Sequence, residues 1–412
     1  MTVTFQPSLL AGSIDAPPSK SMAHRYLIGA ALSGKTCTLS GVDYSQDILA
    51  SMDCLRALGA EVRTQSDRVQ IRPGQFLTCE PGILDCRESG STLRFFIPLA
   101  LCLGRPVTLR GSARLMERPL TVYETLCRER GFRLERNGDR LTLCGSLTPG
   151  EYTLRGDVSS QFITGLVFAL VQLGGGSVIR ILPPFESRSY VELTLSALGA
   201  FGADVAFTDP YTIRVGNAQL AGFDGAIEGD YSNAAFLEGF TCLGGAVQVG
   251  NLKPDSLQGD RVYRDYFAAI CQGTPTLDIS DCPDLGPVLI ALAAMHNGAR
   301  LTGTDRLRIK ESDRGMAMDR ELRKLGGGLV LEDNAITVPK QTLAYRGEPI
   351  QGHNDHRIVM AMSLVLSRLG GTLEGAEAVS KSYPGFFRDM EALGGRLAVT
   401  GDSAVAPTAH DR

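Results

Sequence analysis

A buried helix that ends at a glycine recurs along this sequence of 412 residues and constrains its fold more than any other feature. Each copy is rich in alanine and leucine and apolar on most faces, which is the pattern of a helix enclosed by protein. Glycine is the usual residue where a helix ends in a left-handed conformation. Successive copies are 70, 70, 70, 54 and 72 residues apart, and they end at Gly34, Gly104, Gly174, Gly244, Gly298 and Gly370.

Two further elements accompany each copy. A short run rich in β-branched residues follows each glycine, as in TCTLSG at 36–41, and predicts a strand. A second segment alternates apolar and charged positions, as in SMDCLRALGAEV at 51–62, and predicts a half-exposed helix. Because a fixed period indicates a repeated structural unit, we predict six α/β units of about 70 residues, three in each of two lobes.

Polar turns mark the predicted boundaries between the lobes, namely APPSK at 16–20 and EGDYSN at 228–233. We predict a discontinuous domain I, residues 1–20 with 229–412, and a continuous domain II, residues 21–228. The tail from Gly401 onward is predicted to be disordered.

Composition argues against several classes of function. The net charge of −4 gives no general attraction for nucleic acid or an anionic membrane. The longest apolar stretch, 95–103, is too short to span a bilayer, and the N-terminus lacks the pattern of a secretory signal. Ten cysteines without a C-x-x-C pair favour reduced thiols in a cytoplasmic protein over disulfides or a metal site. We expect no metal, no nucleic acid partner and no membrane partner.

Polar residues cluster where the buried helices begin. Ser, Asp and Asn there can accept hydrogen bonds from the free N–H groups of a first turn, and we interpret Asp230, Ser232 and Asp355 as such caps. Other helix starts carry more than a cap requires. Lys20 and Arg25 begin one buried helix. Because a helix N-terminus beside a cation suits a phosphate or carboxylate, these positions predict a site for small anions.

Four further positions share this character of an anion site. Gly90 leaves backbone amides open at one helix start, and Arg357 lies at another. RLMERP at 114–119 contributes two arginines, and a guanidinium can hold a carboxylate or phosphate through two contacts. RLRIKESDR at 306–314 places six charges in nine residues, although a surface salt-bridge network alone would explain that density. The pattern indicates multiply anionic substrates.

Together these segments resemble the EPSP synthases, a family of enolpyruvyl transferases. The resemblance implies an α/β fold in which two domains form an inside-out barrel of six βαβαββ repeats, three per domain, with the active site in the inter-domain cleft. The motifs, which span nearly the whole chain in the family's order, are S-K-S-x-x-x-R at 19–25, S-G-S-T-x-R at 89–94, E-R-P at 117–119, V-S-S-Q-F at 158–162, S-R-S-Y at 187–190, E-G-D-Y-S at 228–232, P-D-L-x-P at 283–287, R-x-K-E-S-D-R at 308–314, N-D-H-R at 354–357 and K-S-Y-P at 381–384.

The resemblance also implies a reaction and its residues. In this family the enolpyruvyl group of phosphoenolpyruvate is transferred to the 5-hydroxyl of shikimate 3-phosphate, without a cofactor, and we expect a monomer. By resemblance, Asp284 takes the hydroxyl proton, while Glu311 and Lys20 handle protonation around phosphoenolpyruvate. Because nearby cations lower the pKa of a carboxyl and burial raises it, the direction of each proton transfer stays open.

The same resemblance assigns two sets of binding residues. Those for phosphoenolpyruvate are Lys20, Gly90, Arg118, Gln161, Arg314, Arg357 and Lys381. Those for shikimate 3-phosphate are Ser21, Arg25, Ser159, Ser160, Gln161, Ser187, Asp284, Arg306 and Lys310. Two residues depart from the family pattern. Glu88 stands where many members have Asn, and Arg306 stands where some members have Asn.

Two alternatives are weighed against this interpretation. The sister enzymes that use UDP-N-acetylglucosamine usually carry a Cys in the loop before Arg-Pro, and here residues 111–119 contain none. A non-catalytic anion-binding relative would lack an acid/base residue, whereas Lys20, Asp284 and Glu311 are all present. Both comparisons favour the shikimate enzyme.

Overall fold

The chain separates into two compact units in the structure, a computed structural model that describes residues 1–401. Among the described residues, unit 1 contains Met1–Pro17 and Gly229–Gly401, and unit 2 contains Pro18–Glu228. Each unit has its own apolar core. The predicted disordered tail lies outside the described residues, apart from Gly401.

Strands and helices alternate along both units, which makes the fold α/β as predicted. The strands β1 to β22 are, in order, Thr2–Gln6, Ala11–Asp15, Cys37–Ser40, Glu61–Gln65, Arg68–Arg72, Leu84–Asp85, Val107–Arg110, Arg133–Asn137, Arg140–Cys144, Glu151–Arg155, Ser177–Leu182, Val205–Asp209, Thr212–Val215, Gly225–Ala226, Ala246–Gly250, Thr276–Asp278, Ala299–Thr302, Val330–Glu332, Ala335–Val338, Ile350–Gln351, Gly371–Glu374 and Arg396–Thr400. The helices α1 to α13 are Lys20–Leu32, Gln46–Ala57, Gly90–Leu101, Ala113–Glu117, Thr121–Arg130, Ser160–Leu173, Arg188–Ala200, Tyr231–Cys242, Tyr263–Gln272, Gly286–Met295, Arg314–Lys324, His356–Leu369 and Phe386–Ala392. Short 3-10 helices cover Gly259–Val262, Pro283–Leu285, Asp305–Ile309 and Ala376–Lys381.

The sheets of the two units follow one pattern. Unit 2 has three four-stranded sheets, in the orders β14-β3-β5-β4, β6-β7-β9-β8 and β10-β11-β13-β12. Unit 1 has β20-β21-β1-β22, β16-β17-β19-β18 and the pair β15-β2. In each four-stranded sheet the first pair of strands is parallel and the next two pairs are antiparallel. A buried helix joins most of the parallel pairs, since a parallel connection must cross over the sheet.

The six predicted buried helices are all present, as α1, α3, α6, α8, α10 and α12, and most of their residues are buried. The glycine that follows or ends each of them has a positive φ between 64° and 91°. Only glycine adopts such a backbone without steric cost, which explains its recurrence in the sequence. These helices form the centre of each core, and their first turns carry the polar residues singled out above.

Three findings bear on the expectations from composition. No helix of residues 1–401 is long and apolar enough to cross a membrane. All ten cysteines fall within that range, and each is a free thiol. Within the same residues, no group of three or more His, Cys, Asp or Glu side chains could hold a metal ion.

Candidate active site

Three helix starts in unit 1 bring charged residues together. Asp284 lies in the 3-10 turn before α10, Arg314 begins α11, and Arg357 is the second residue of α12. One carboxylate oxygen of Asp284 accepts from Arg314 Nη1 at 2.8 Å and from Lys310 Nζ at 3.1 Å, and the other accepts from Arg357 Nη2 at 3.0 Å. A single carboxylate therefore links three of the predicted cations.

Arg314 is the centre of this cluster, and its side chain is only 1% exposed. Besides Asp284, it donates from Nε to Asp355 Oδ2 at 2.9 Å and from Nη2 to Glu311 Oε2 at 2.9 Å. Burial lowers its pKa, but the three carboxylates outweigh burial and raise it, so Arg314 stays charged. The charge-dense segment 306–314 is thus not the surface network that its composition alone would suggest.

The cations around Asp284 set its protonation. Burial raises the pKa of this carboxyl, but Arg357, Lys310 and Arg314 outweigh burial and hold it well below the ordinary value. Burial also lowers the pKa of Lys310 to about 8, against the opposing charge of Asp284. Asp284 is therefore ionised at neutral pH. Lys310 loses its positive charge as the pH rises through about 8, which is close to neutral.

The two remaining predicted residues of unit 1 contact main-chain carbonyls. Lys381 donates from Nζ to the carbonyl of Asn354 at 2.5 Å. Arg306 is buried and donates from Nη1 to the carbonyl of Ser280 at 3.3 Å, and its positive charge helps to lower the pKa of Lys310.

In unit 2, α1 presents two of the predicted cations. Lys20 is its first residue, and its Nζ lies 2.8 Å from Asp47 Oδ2 on α2. Arg25 is buried one turn later and donates to Thr194 Oγ1 at 2.9 Å and to the carbonyl of Ser21 at 2.6 Å. A third bond, of 2.7 Å, reaches the carbonyl of Tyr190. Burial lowers the pKa of Arg25 to about 10, which leaves it charged at neutral pH.

Gly90 and Arg118 lie in contact. A Cβ atom at Gly90, the first residue of α3, would fall 2.6 Å from Arg118 Nη1 and 2.9 Å from its Cζ. Such distances are far inside van der Waals contact, so only glycine lets the guanidinium lie this close to the helix start. Ser89 caps the same helix by accepting from the amide of Thr92 at 3.2 Å.

Four of the polar residues predicted to hold shikimate 3-phosphate, Ser159, Ser160, Gln161 and Ser187, lie at the starts of α6 and α7. Gln161 donates to Ser91 Oγ at 2.9 Å and accepts from Arg94 Nη1 at 2.6 Å. Ser159 caps α6, and the following residue, Ser160, is buried. Ser187 precedes α7, is fully buried and has a φ of 52°, which is uncommon for a serine.

Two of the three interpreted caps are confirmed. Asp230 accepts from the amide of Asn233, and Asp355 accepts from the amide of Arg357. The interpretation of Ser232 as a cap is wrong, because its hydroxyl donates to the buried carboxylate of Asp260. A serine hydroxyl can donate a hydrogen bond to a carboxylate or accept one from a helix amide, and the neighbouring sequence does not show which it does.

Two charged residues of the clusters, Asp47 and Asp260, and the pairing of a third, Asp355, were missed in the sequence. Asp47 pairs with Lys20, Asp355 pairs with Arg314 in addition to capping, and Asp260 lies near Asp284 in charge interaction. Burial and then the negative charge of Asp284 raise the pKa of Asp260 to about 6. Asp355 directly precedes a motif cation and could have been suspected. No local pattern marks the other two.

The cationic helix starts of the two α/β units are suited to binding small anionic substrates. The chain matches the sequence model of the EPSP synthase (3-phosphoshikimate 1-carboxyvinyltransferase) family over residues 5–390. It belongs to this family of transferases, and the resemblance drawn from its motifs is confirmed.

Curated relatives and solved structures agree with this membership. The chain is 40% identical to 3-phosphoshikimate 1-carboxyvinyltransferase of Clostridium kluyveri, over 96% of this chain and 98% of that protein. It is 37% identical to the enzyme of the same name from Clostridium novyi, over 94% and 96%. An EPSP synthase from Acinetobacter baumannii superimposes with a TM-score of 0.76 at 22% identity, over 97% of this chain and all of that chain. This last likeness shows the fold.

Proposed function

We propose that this enzyme transfers the enolpyruvyl group of phosphoenolpyruvate to the 5-hydroxyl of shikimate 3-phosphate and releases phosphate. Membership of the 3-phosphoshikimate 1-carboxyvinyltransferase family across residues 5–390 is the observation that carries this proposal. The reaction adds the hydroxyl to C2 of phosphoenolpyruvate while C3 gains a proton, and the adduct then loses phosphate. One group must therefore accept a proton and another must donate one.

We assign the role of base to Asp284. Its lowered pKa supports this role, because an ionised carboxylate can accept the hydroxyl proton. Three cations also weaken it as a base, since each stabilises the charged form. Anionic substrates that bind Arg314, Arg357 or Lys310 compete with Asp284 for these cations. Substrate binding would thus raise the pKa of Asp284 at the moment when a base is needed.

Protonation of phosphoenolpyruvate is assigned to Glu311 and Lys20. Glu311 lies 2.9 Å from Arg314, the cation predicted to hold phosphoenolpyruvate, which supports its presence near that substrate. Lys20 pairs with Asp47 at 2.8 Å, which holds its ammonium group at the start of α1. Which of the two delivers the proton stays a prediction.

The anions need several donors at once. In unit 1, Arg314, Arg357 and Lys381 are proposed for phosphoenolpyruvate, and Arg306 and Lys310 for shikimate 3-phosphate. In unit 2 the proposed donors are Lys20, Gly90, Arg118 and Gln161 for the first substrate and Ser21, Arg25, Ser159, Ser160, Gln161 and Ser187 for the second. That both sets serve one site, at a cleft between two domains bounded near residues 20 and 229, stays a prediction from the family resemblance.

The finer architecture and the setting of the enzyme are proposals too. The strand order shared by the four-stranded sheets supports six βαβαββ repeats, with β15-β2 as a reduced sheet, in the inside-out barrel of the family. Ten free thiols support a cytoplasmic enzyme, because an oxidising compartment would favour disulfides. We also propose that it acts as a monomer.

Phosphate release from the purified protein tests the reaction. Phosphoenolpyruvate is supplied with shikimate 3-phosphate in one assay and with UDP-N-acetylglucosamine in another. We expect release only with shikimate 3-phosphate, and mass spectrometry should show the enolpyruvyl ether as its product. Release only with the sugar nucleotide would overturn the choice of acceptor, and release with neither would contradict a catalytic role.

A further inference from the structure

A strained turn lies between β20 and α12. His353 and Asn354, two consecutive residues of this turn, have φ values of 51° and 52°. Such left-handed backbone is uncommon outside glycine and persists only where the surrounding structure holds it in place. Asp355, Arg357 and α12 follow directly. The conformation of this turn therefore determines the positions of Asp355 and Arg357.

A buried carboxylate on the neighbouring helix α11 holds this turn. The side chain of Glu321 is fully buried and accepts from His353 Nε2 at 2.7 Å. Its other oxygen accepts from the amide of Gln351 at 2.9 Å and lies 2.7 Å from Lys324 Nζ. Burial raises the pKa of Glu321, but the hydrogen bonds from His353, Lys324 and Gln351 outweigh burial and lower it. Glu321 is thus an ionised anchor for both sides of the turn.

The far side of the turn contacts the predicted phosphoenolpyruvate cations. The carbonyl of Asn354 accepts from Lys381 Nζ at 2.5 Å. Asp355 accepts from Arg314 Nε at 2.9 Å through one carboxylate oxygen and from the amide of Arg357 at 2.9 Å through the other. The turn therefore contacts the side chains of Lys381 and Arg314 and the backbone amide of Arg357, the three residues proposed for phosphoenolpyruvate in unit 1.

The cations proposed for shikimate 3-phosphate have other supports. Arg306 donates to the carbonyl of Ser280, and Lys310 donates to Asp284. Neither of these contacts is made to the turn, and Lys310 is linked to it indirectly, through Asp284, which also binds Arg314 and Arg357. A shift of the turn would consequently disturb one group of cations more than the other.

We propose that Glu321, acting through His353, is a positioning residue for phosphoenolpyruvate, because it fixes the turn that aligns Lys381, Arg314 and Arg357. This inference rests on the proposed function. The side chain of Glu321 binds His353, the amide of Gln351 and Lys324, so its effect on the three cations passes through the turn. The binding energy of phosphoenolpyruvate depends on all three cations at once, so a small displacement of the turn weakens several contacts together.

Two variants separate positioning from simple packing. His353→Asn keeps a residue that tolerates left-handed backbone but shortens the side chain that reaches Glu321. Glu321→Gln keeps the shape of the anchor and removes its charge. Arg323→Gln is the matched control, because Arg323 lies on the same helix, is 62% exposed and pairs with Asp319 rather than with the turn.

The experiment measures KM for each substrate, kcat and the melting temperature of all three variants and the parent enzyme. In both turn variants we expect KM for phosphoenolpyruvate to rise by about three- to tenfold, the effect of weakening roughly one hydrogen bond. KM for shikimate 3-phosphate should change by less than about twofold by the same reasoning, and Arg323→Gln should match the parent.

An equal rise in both KM values, or an unchanged KM for phosphoenolpyruvate in an active His353→Asn enzyme, would overturn the inference. A lower melting temperature with an unchanged ratio of the two KM values would show a purely structural role and would overturn it too. Should Glu321→Gln fail to fold, His353→Asn decides alone. An inactive parent enzyme would instead contradict the proposed function, so the two failures are distinguishable.

Discussion

Replacement of Asp284 by Asn removes one negative charge from among three cations while leaving the shape of the side chain nearly unchanged. The carboxylate lies 2.8 Å, 3.1 Å and 3.0 Å from Arg314, Lys310 and Arg357. A positioned base contributes about 10²- to 10⁴-fold to a rate. We therefore expect kcat to fall by about 10²- to 10⁴-fold. Breaking a buried ion pair from one side costs about 3 kcal/mol, so the free energy of unfolding should fall by a similar amount.

Bound anions should return part of that stability. Phosphoenolpyruvate brings a phosphate and a carboxylate to the cations that Asp284 no longer neutralises, and any ligand that binds only the folded state stabilises it. Denaturant unfolding of Asp284→Asn, with and without phosphoenolpyruvate, should thus show a larger ligand-induced gain than the parent enzyme. The same gain in both proteins would contradict the view that substrate and Asp284 compete for the cations.

The matched control is Asp204→Asn in unit 2. Asp204 also binds an arginine through two bonds, 2.6 Å and 2.7 Å to Arg214, but its side chain is 46% exposed. Exposed pairs contribute about 0 to 1 kcal/mol, so this variant should keep its activity and nearly all its stability. A kcat of Asp284→Asn within tenfold of the parent value would refute the assignment of Asp284 as the base.

Three further outcomes are expected. Gly90→Ala should raise KM for phosphoenolpyruvate at little cost in stability, because the new Cβ would fall 2.6 Å from Arg118 Nη1 and displace the guanidinium, and steady-state kinetics measures this. Since burial lowers the pKa of Lys310 to about 8, its charge is lost as pH rises through that value. KM for shikimate 3-phosphate should therefore rise above pH 8 in the parent enzyme but not in Lys310→Arg. Burial raises the pKa of Asp260 to about 6, so its protonated form favours folding at low pH and that advantage is lost as pH rises from about 4 through 6. Denaturant unfolding should show that Asp260→Asn loses less stability than the parent enzyme over this interval.

The helices of both units could be predicted from the sequence because their signals are local. Apolar runs that end at glycine mark α1, α3, α6, α8, α10 and α12, and each of those glycines has the positive φ that selects it. Strand pairing follows a different rule. The pairing of β14 with β3 joins residues more than 180 positions apart, and neither strand carries a sign of its partner. Contacts of this kind depend on the assembled core.

The residues of the candidate site likewise divide into those that a local motif predicts and those that it does not. Its cations were predictable because they lie in short motifs at helix starts, where backbone amides and charge act together. Their carboxylate partners were predictable only in part, since Asp284 and Glu311 lie in motifs but Asp47 lies on a helix with no motif. Glu321 shows why, because the pattern of its segment predicts a half-exposed helix, yet this carboxylate is fully buried among specific donors. Burial of one charge depends on partners that are distant in sequence.

The pairing of β1 has a consequence for synthesis on the ribosome. Thr2 pairs with Glu374 on one side and with Thr400 on the other, so β1 acquires its neighbours only after the chain has been made as far as these two residues. At about 5 to 20 residues per second this delay is roughly 20 to 70 seconds. Unit 2, formed by the continuous segment Pro18–Glu228, can fold meanwhile. During that interval both edges of β1 are open to strands of other chains, so β1 needs protection from aggregation in the nascent protein.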